Sequence, residues 1–196
     1  MNSLEQSMVR VILSAALACA VSCSSPAPSP VSKDPARAAN DPEELDRFLR
    51  SSFDEVKPFI EGRAAVRLGV KWAYVKEAGK PITRYIFAEA DGFSEGLARV
   101  KINSKYGYID RNGAMAIPPR FESAGSFHES LASAREEVNS KFGYIDKSGK
   151  FLVQPRFDKA EPFRKGIAKV EKGSGGSARS GCINKSGDSV KCPPGF

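Results

Sequence analysis

Phe93-Ser-Glu-Gly-Leu-Ala-Arg-Val100 is a stretch that this 196-residue sequence repeats with small changes. The other copies are Phe59-Ile-Glu-Gly-Arg-Ala-Ala-Val66, Phe127-His-Glu-Ser-Leu-Ala-Ser-Ala134 and Phe163-Arg-Lys-Gly-Ile-Ala-Lys-Val170. A period of about 35 residues indicates supersecondary units that bury their apolar faces only by stacking on one another. The sequence is therefore that of a repeat protein.

Each period contains the pattern of a β-hairpin followed by a third strand. An aromatic and β-branched segment comes first, as in Tyr106-Gly-Tyr-Ile109, and the turn Asp110-Arg-Asn-Gly113 follows it. A second strand ends at Ile117-Pro-Pro-Arg-Phe121, a corner follows, and the quoted stretch is the third strand. We predict an all-β fold of about four such units, stacked as an open array, with a closed propeller-like ring as the alternative.

Two columns of phenylalanine recur in the repeat and predict its core. Nine of the 12 phenylalanines lie in them, so stacking alone explains their spacing better than a ladder of aromatic ligand sites. One column contains Phe53, Phe87, Phe121, Phe157 and Phe196, and the other contains Phe59, Phe93, Phe127 and Phe163. Because the chain enters and leaves the repeat in one column, a lone third strand is expected at the front and a lone hairpin at the back.

The N-terminal segment has the pattern of an export signal. Residues 11–21 are an apolar run too short to span a bilayer, and they precede Ala20-Val-Ser-Cys23, which resembles a bacterial lipobox. We expect residues 1–23 to be a lipoprotein signal, with Cys23 lipidated and Cys19 as the alternative. Residues 24–40 are a Pro/Ser-rich tether, residues 41–52 a short capping helix and residues 53–196 the β-repeat domain.

The remaining two cysteines are predicted to form a disulfide. Cys182 stands in the column of Tyr108 and Tyr144, and Cys192 lies close to that of Ile117 and Val153, so they face each other across the last hairpin. A disulfide is expected in an oxidising compartment, where it would stabilise a terminal unit that has no following neighbour.

The repeat resembles the WG (KWG) repeat family of bacterial proteins. Its columns are Lys, an aromatic residue, Gly or Ala, Tyr, Ile or Val, Asp and Gly, followed by Pro, Phe, Glu-Gly, Ala and Val, over residues 53–196. Trp72 alone keeps the tryptophan, and Ala73 follows it in place of glycine. The resemblance implies a β-rich, bacterial and often exported protein, and it implies no catalytic residues.

The residues for catalysis or metal binding are few, and we expect no enzyme, cofactor or metal site. The single histidine, His128, fills a slot that holds Ile60, Ser94 and Arg164 in the other copies. Asp110 and Asp146 recur, but Lys76 and Asn184 break that row, so a turn-forming role is favoured over a calcium site.

Positive charge is the remaining functional signal. Residues 53–196 contain 25 Lys and Arg against 17 Asp and Glu, and basic residues recur in two columns. Stacking would turn these columns into stripes that attract an anionic envelope polymer, although solvated lysines that protect strand edges explain them equally well. The candidate binding residues are Lys71, Lys105, Lys141, Arg120 and Arg156.

We expect a lipid-anchored envelope protein whose non-catalytic scaffold binds a protein or an anionic polymer. An envelope enzyme or accessory protein and a purely structural surface lipoprotein are the alternatives. Ser24 directly after Cys23 resembles outer-membrane sorting, and no nucleic-acid partner is expected outside the cytoplasm.

Overall fold

The computed structural model describes residues 42–173 and 178–195. The predicted signal segment, both lipidation candidates Cys19 and Cys23, the tether and Phe196 lie outside the described residues. The described chain forms one helix, α1, followed by 15 short β-strands. Helix α1 spans Pro42–Ser52, which confirms the predicted capping helix.

The strands form four small antiparallel sheets in chain order. Sheet 1 contains β1 (Glu55–Val56), β2 (Arg63–Leu68) and β3 (Lys71–Lys76), and a short 3₁₀ helix, Glu77–Gly79, follows it. Sheet 2 contains β4 (Glu89–Ser94), β5 (Leu97–Ile102), β6 (Lys105–Asp110) and β7 (Met115–Phe121). Sheet 3 contains β8 (Ser123–Ala124), β9 (Ala132–Arg135), β10 (Phe142–Ile145) and β11 (Phe151–Phe157), and sheet 4 contains β12 (Lys159–Ala160), β13 (Ile167–Lys172), β14 (Arg179–Asn184) and β15 (Ser189–Val190).

Neighbouring strands pair in sequence order, and the predicted tandem β-repeats are confirmed, with four strands in each of sheets 2 to 4. The corner between the phenylalanine columns contributes the strand that begins each sheet, and in sheets 1, 3 and 4 this strand has only two residues, as in β8. The quoted stretch pairs forward with the next hairpin, as β5 does with β6. Within the described residues this pairing leaves neither the lone third strand nor the lone hairpin that was expected at the ends. The physical reason is the tight turn at Asn103 and Ser104, which brings β6 straight back along β5.

Buried side chains lie in layers between successive sheets. One cluster joins sheets 1 and 2, a second joins sheets 2 and 3, and a third joins sheets 3 and 4. Helix α1 covers the outer face of sheet 1 with Leu45 and Leu49. No strand pairing joins sheet 1 to sheet 4 within residues 42–173 and 178–195, and the array is open as predicted.

The phenylalanine columns form the core with exceptions at the first sheet. Phe93, Phe127 and Phe163 are each at most 3% exposed, and each packs edge-on against a tyrosine of the preceding sheet at 4.7–5.4 Å between ring centroids. Phe59, which was expected in the core, is 36% exposed, because it belongs to the first sheet of the described residues and has no tyrosine of an earlier described sheet to pack against. Phe53 is half-buried beside Tyr85.

Candidate functional site

A row of glutamates ties each sheet to the next along one edge of the array. Glu61, Glu95 and Glu129, here called the glutamate ladder, occupy the same turn position with φ of 52–54°. The Glu61 carboxylate accepts a hydrogen bond from the backbone N–H of Gly96 at 3.1 Å and pairs with Arg111 at 2.5 Å. Glu95 repeats this arrangement with Ser130 and Lys147, and Glu129 with Gly166 and Lys185.

The ladder carboxylates are held ionised by these partners. Burial opposes ionisation of Glu61, but the bonds from Arg111 and Gly96 outweigh it and lower the pKa of that carboxyl. The hydrogen bond from Lys185, followed by that from Gly166, lowers the pKa of Glu129. The fourth copy of the position is Lys165, in the last sheet of the described residues.

A buried tyrosine column forms a second tie between sheets. The hydroxyls of Tyr74, Tyr108 and Tyr144 donate to backbone carbonyls of the following sheet at 2.5–2.7 Å, and all three side chains are at most 1% exposed. Burial raises the pKa of each phenol, which therefore stays protonated as a donor. Cys182 takes this position in sheet 4 and forms a disulfide with Cys192, which confirms the predicted bridge.

The predicted basic columns are largely engaged within the fold. Lys105 pairs with Glu122 at 3.2 Å, and Lys141 pairs with Asp158. Lys71 is exposed, and the residue at the matching acidic position is Ala88. Arg120 donates to the Gly149 carbonyl at 2.5 Å, and Arg156 donates to the Gly187 carbonyl, so both join successive sheets.

The residues that were weighed for catalysis or calcium binding lie in turns. His128 is exposed and its backbone pairs with Leu131 across the turn that holds Glu129. The carboxylates of Asp110 and Asp146 accept backbone N–H bonds from their own turns at 2.8–3.0 Å, which explains their recurrence. Among the described residues no group of three or more His, Cys, Asp and Glu could hold a metal ion.

Unpaired positive charge is concentrated in sheet 4. Residues 159–195 contain eight Lys and Arg against three Asp and Glu, whereas residues 53–158 contain 17 against 14. Lys159 pairs with Glu171 at 2.8 Å and Lys185 pairs with Glu129 at 3.1 Å. The other six form no ion pair with any residue that the structure describes: Arg164, Lys165, Lys169, Lys172, Arg179 and Lys191.

The family model for the WG containing repeat matches the chain over residues 52–72, 72–106, 106–137 and 142–175. These matches cover more than half of the chain and follow the sheets in order. The chain belongs to the WG-containing repeat family. No curated protein matches this WG-repeat chain.

Among solved structures, the WG-repeat chain is similar to virginiamycin B lyase from Staphylococcus aureus, with 15% sequence identity and a TM-score of 0.41. The match covers 71% of this chain and 55% of the lyase chain. The WG-repeat chain thus spans about half the length of that protein. None of the described helices is long and apolar enough to cross a membrane.

Sequence reasoning missed the glutamate ladder of the WG-repeat domain. Its signal was present, because the Glu of the repeated stretch and the basic residue after Asp110, Asp146 and Asn184 recur together. They are about 50 residues apart in sequence, and only the stacking of consecutive sheets brings them into contact. The concentration of unpaired charge in sheet 4 was missed for the same reason, since the pairing partners lie in other strands or sheets.

Proposed function

We propose that this protein is a lipid-anchored cell-envelope protein whose WG-repeat domain is a non-catalytic scaffold for a protein or anionic polymer. The predicted lipobox at Cys23 supports the anchor, and the Pro/Ser-rich tether would hold the domain off the membrane. Outer-membrane attachment is the expected location.

The observation that carries the binding role is the unpaired charge of sheet 4. Cations that already have carboxylate partners gain little from an external anion, since binding would have to replace an existing pair. The six unpaired cations of sheet 4 have no such competitor among the described residues. We therefore assign anionic partners to sheet 4, with Lys71 as a further contact at the opposite end of the array.

The test compares variants of the full chain for retention on immobilised lipopolysaccharide. Changing Lys165, Lys169 and Lys191 to Gln removes three charges from sheet 4, of which Lys169 is half-buried and the other two are exposed. The matched control changes Lys76, Lys80 and Lys150, exposed lysines that also form no ion pair among the described residues but are spread over the preceding part of the array. The sheet 4 variant should bind about tenfold more weakly at low salt, because exposed ion pairs contribute ~0.2–1 kcal/mol each. The control should bind like the parent, and high salt should remove the difference.

A third variant, with lysines 71, 105 and 141 changed to Gln, distinguishes binding by the predicted lysine column from binding by sheet 4. Weaker retention of that variant alone would assign binding to the columns instead of sheet 4. Retention that is insensitive to salt and to all three variants would favour a purely structural lipoprotein. The anchor is tested separately by labelled palmitate, which should be incorporated by the parent chain and lost with Cys23→Ser.

A further inference from the structure

The outer edge of β14 lacks the strand that covers the same edge in sheets 2 and 3. There, β7 pairs with β6 as far as Tyr106, and β11 pairs with β10 as far as Phe142. In sheet 4, β15 pairs only with Cys182 and Ile183. Residues 179–181 therefore have no strand partner on this edge within the part of the chain that the structure describes.

The disulfide explains why the chain leaves this edge. Cys182 replaces tyrosines whose side chains point toward the following sheet, so its bond to Cys192 holds the chain on that outer face of β14. The two residues lie 10 apart in sequence, and β15 ends two residues before Cys192. Residues 191–195 form no strand and are exposed.

A column of glycines marks the place where the fourth strand passes over the sheet, and Gly181 is the member of that column in sheet 4. A Cβ added at Gly107 would lie 2.6 Å from the Ile117 carbonyl oxygen, and one at Gly143 would lie 2.9 Å from the Pro155 nitrogen. In both sheets the bulged fourth strand crosses directly over the glycine. A Cβ added at Gly181 would meet no atom of the described residues within 4 Å, so the described part of the chain leaves this space open in sheet 4.

The charges around this space define what it would bind. Lys105 and Lys141 pair with Glu122 and Asp158, the acidic residues that directly follow Phe121 and Phe157 at the end of the covering strand. Arg179 occupies the same position in sheet 4 and has no acidic partner among the described residues.

Two further cations lie beside Arg179. Lys172 is its direct cross-strand neighbour. Two like charges at opposed positions repel each other and lower stability, and an anion bound between them would offset that repulsion. Arg156 lines the same groove, and the side chains of Phe157 and Val170 also line it. One carboxylate, Asp188, is present there, and it accepts a hydrogen bond from Asn184 at 3.2 Å.

We infer that the edge of β14 at residues 179–181 binds an extended segment of a partner polypeptide as an added antiparallel strand. Main-chain hydrogen bonds along the edge would supply affinity, and side-chain contacts would supply specificity. The segment carries a proline, an aromatic residue two positions later and then Asp or Glu, as in the Pro-Arg-Phe-Glu of residues 119–122 and the Pro-Arg-Phe-Asp of residues 155–158. The acidic residue pairs with Arg179, and the proline-containing bulge passes over Gly181. This inference rests on the proposed scaffold function, and it specifies a peptide as one partner of the scaffold.

Fluorescence anisotropy with the full oxidised chain tests the site. The probe is a labelled peptide that copies residues 115–123, and the control peptide has Gln in place of the acid at position 122. The first peptide should bind saturably. The control peptide should bind about three- to fivefold more weakly, which is the effect of one exposed ion pair of up to ~1 kcal/mol.

Two variants of the protein locate the binding. Gly181→Val should weaken binding at least tenfold because its side chain fills the open space, and circular dichroism should show an unchanged fold. Arg179→Gln should remove the preference for the acidic peptide. Lys150→Gln, a charge change between β10 and β11 of sheet 3, should leave it intact. In addition, Arg179→Glu should prefer a peptide with Lys at position 122.

Absence of saturable binding, or equal binding by the parent and both site variants, would overturn the site. Binding that occurs only after residues 193–196 are removed would also overturn it, because the edge would then belong to the chain's own terminus. The lipopolysaccharide test changes Lys165, Lys169 and Lys191, whereas the peptide test changes Arg179 and Gly181, so the two tests can give different results. The scaffold function can thus survive failure of the peptide site, and the reverse holds as well.

Discussion

The tyrosine column gives the sharpest stability prediction, because each hydroxyl makes one bond to the following sheet. In Tyr108→Phe, the Gly125 carbonyl loses a donor that lies 2.6 Å away in a buried setting. The ring and its edge-on contact with Phe127 stay in place, so the change isolates the hydrogen bond. An unpaired buried acceptor costs about 1–3 kcal/mol, and we expect a loss of about 1–2 kcal/mol in the free energy of unfolding.

Tyr106→Phe is the matched control on the same strand and the same face. Its hydroxyl donates to the exposed Glu89 carboxylate at 2.6 Å, where water can replace it. This change should cost no more than about 0.5 kcal/mol. Urea unfolding measures both values.

Hydrogen exchange locates the effect of Tyr108→Phe within the array. A repeat array couples nearest neighbours, so exchange should rise first in β8 and β9 of sheet 3, which the bond ties to sheet 2. A control that costs as much as Tyr108→Phe, or a uniform rise in exchange over all four sheets, would refute the role of the tyrosine tie.

Three other features give testable results. The glutamate ladder has pKa values below the ordinary 4.5, so its stabilisation is complete above that pH and is lost as the pH falls through the lowered folded values. Urea unfolding from pH 7 to 3 should show this loss in the parent and a flatter curve when all three ladder glutamates are changed to Gln. Gly143→Ala should lower the free energy of unfolding by more than ~2 kcal/mol because its Cβ meets backbone atoms of the neighbouring strand. Gly181→Ala should change the free energy of unfolding by less than about 0.5 kcal/mol. Equal losses in the two variants would contradict the open edge. Loss of the disulfide in Cys182→Ala/Cys192→Ala should cost about 2–3 kcal/mol for a closed loop with a separation of 10 residues, and an unchanged urea midpoint would show that the bridge does not stabilise sheet 4.

The repeat, its turns and its core columns could be predicted because they depend on local chemistry. Gly113, Gly149 and Gly187 have φ of 82–88°, as the Asp-x-x-Gly turns require. The disulfide followed from the position of Cys182 in the tyrosine column. Helix α1 followed from its acidic first turn and the apolar face that it places on sheet 1.

Features that depend on the ends of the array could not be predicted from repeat columns. Phe59 has the same local sequence signal as Phe93, but it lies in the first sheet of the described residues and stays partly exposed. The two-residue strands β1, β8 and β12 are too short to show an alternating pattern. The charge columns also gave an incomplete view, since Lys105 and Lys141 have acidic partners 17 residues later while Arg179 has none among the described residues.

We propose that the scaffold meets its partner through sheet 4. Hydrogen exchange of the full chain, measured with and without soluble lipopolysaccharide fragments, tests it most directly. We expect the added protection to be concentrated in residues 159–172 and 179–191, with little change in residues 63–110. Protection spread evenly over the four sheets, or concentrated at sheets 1 and 2, would contradict it.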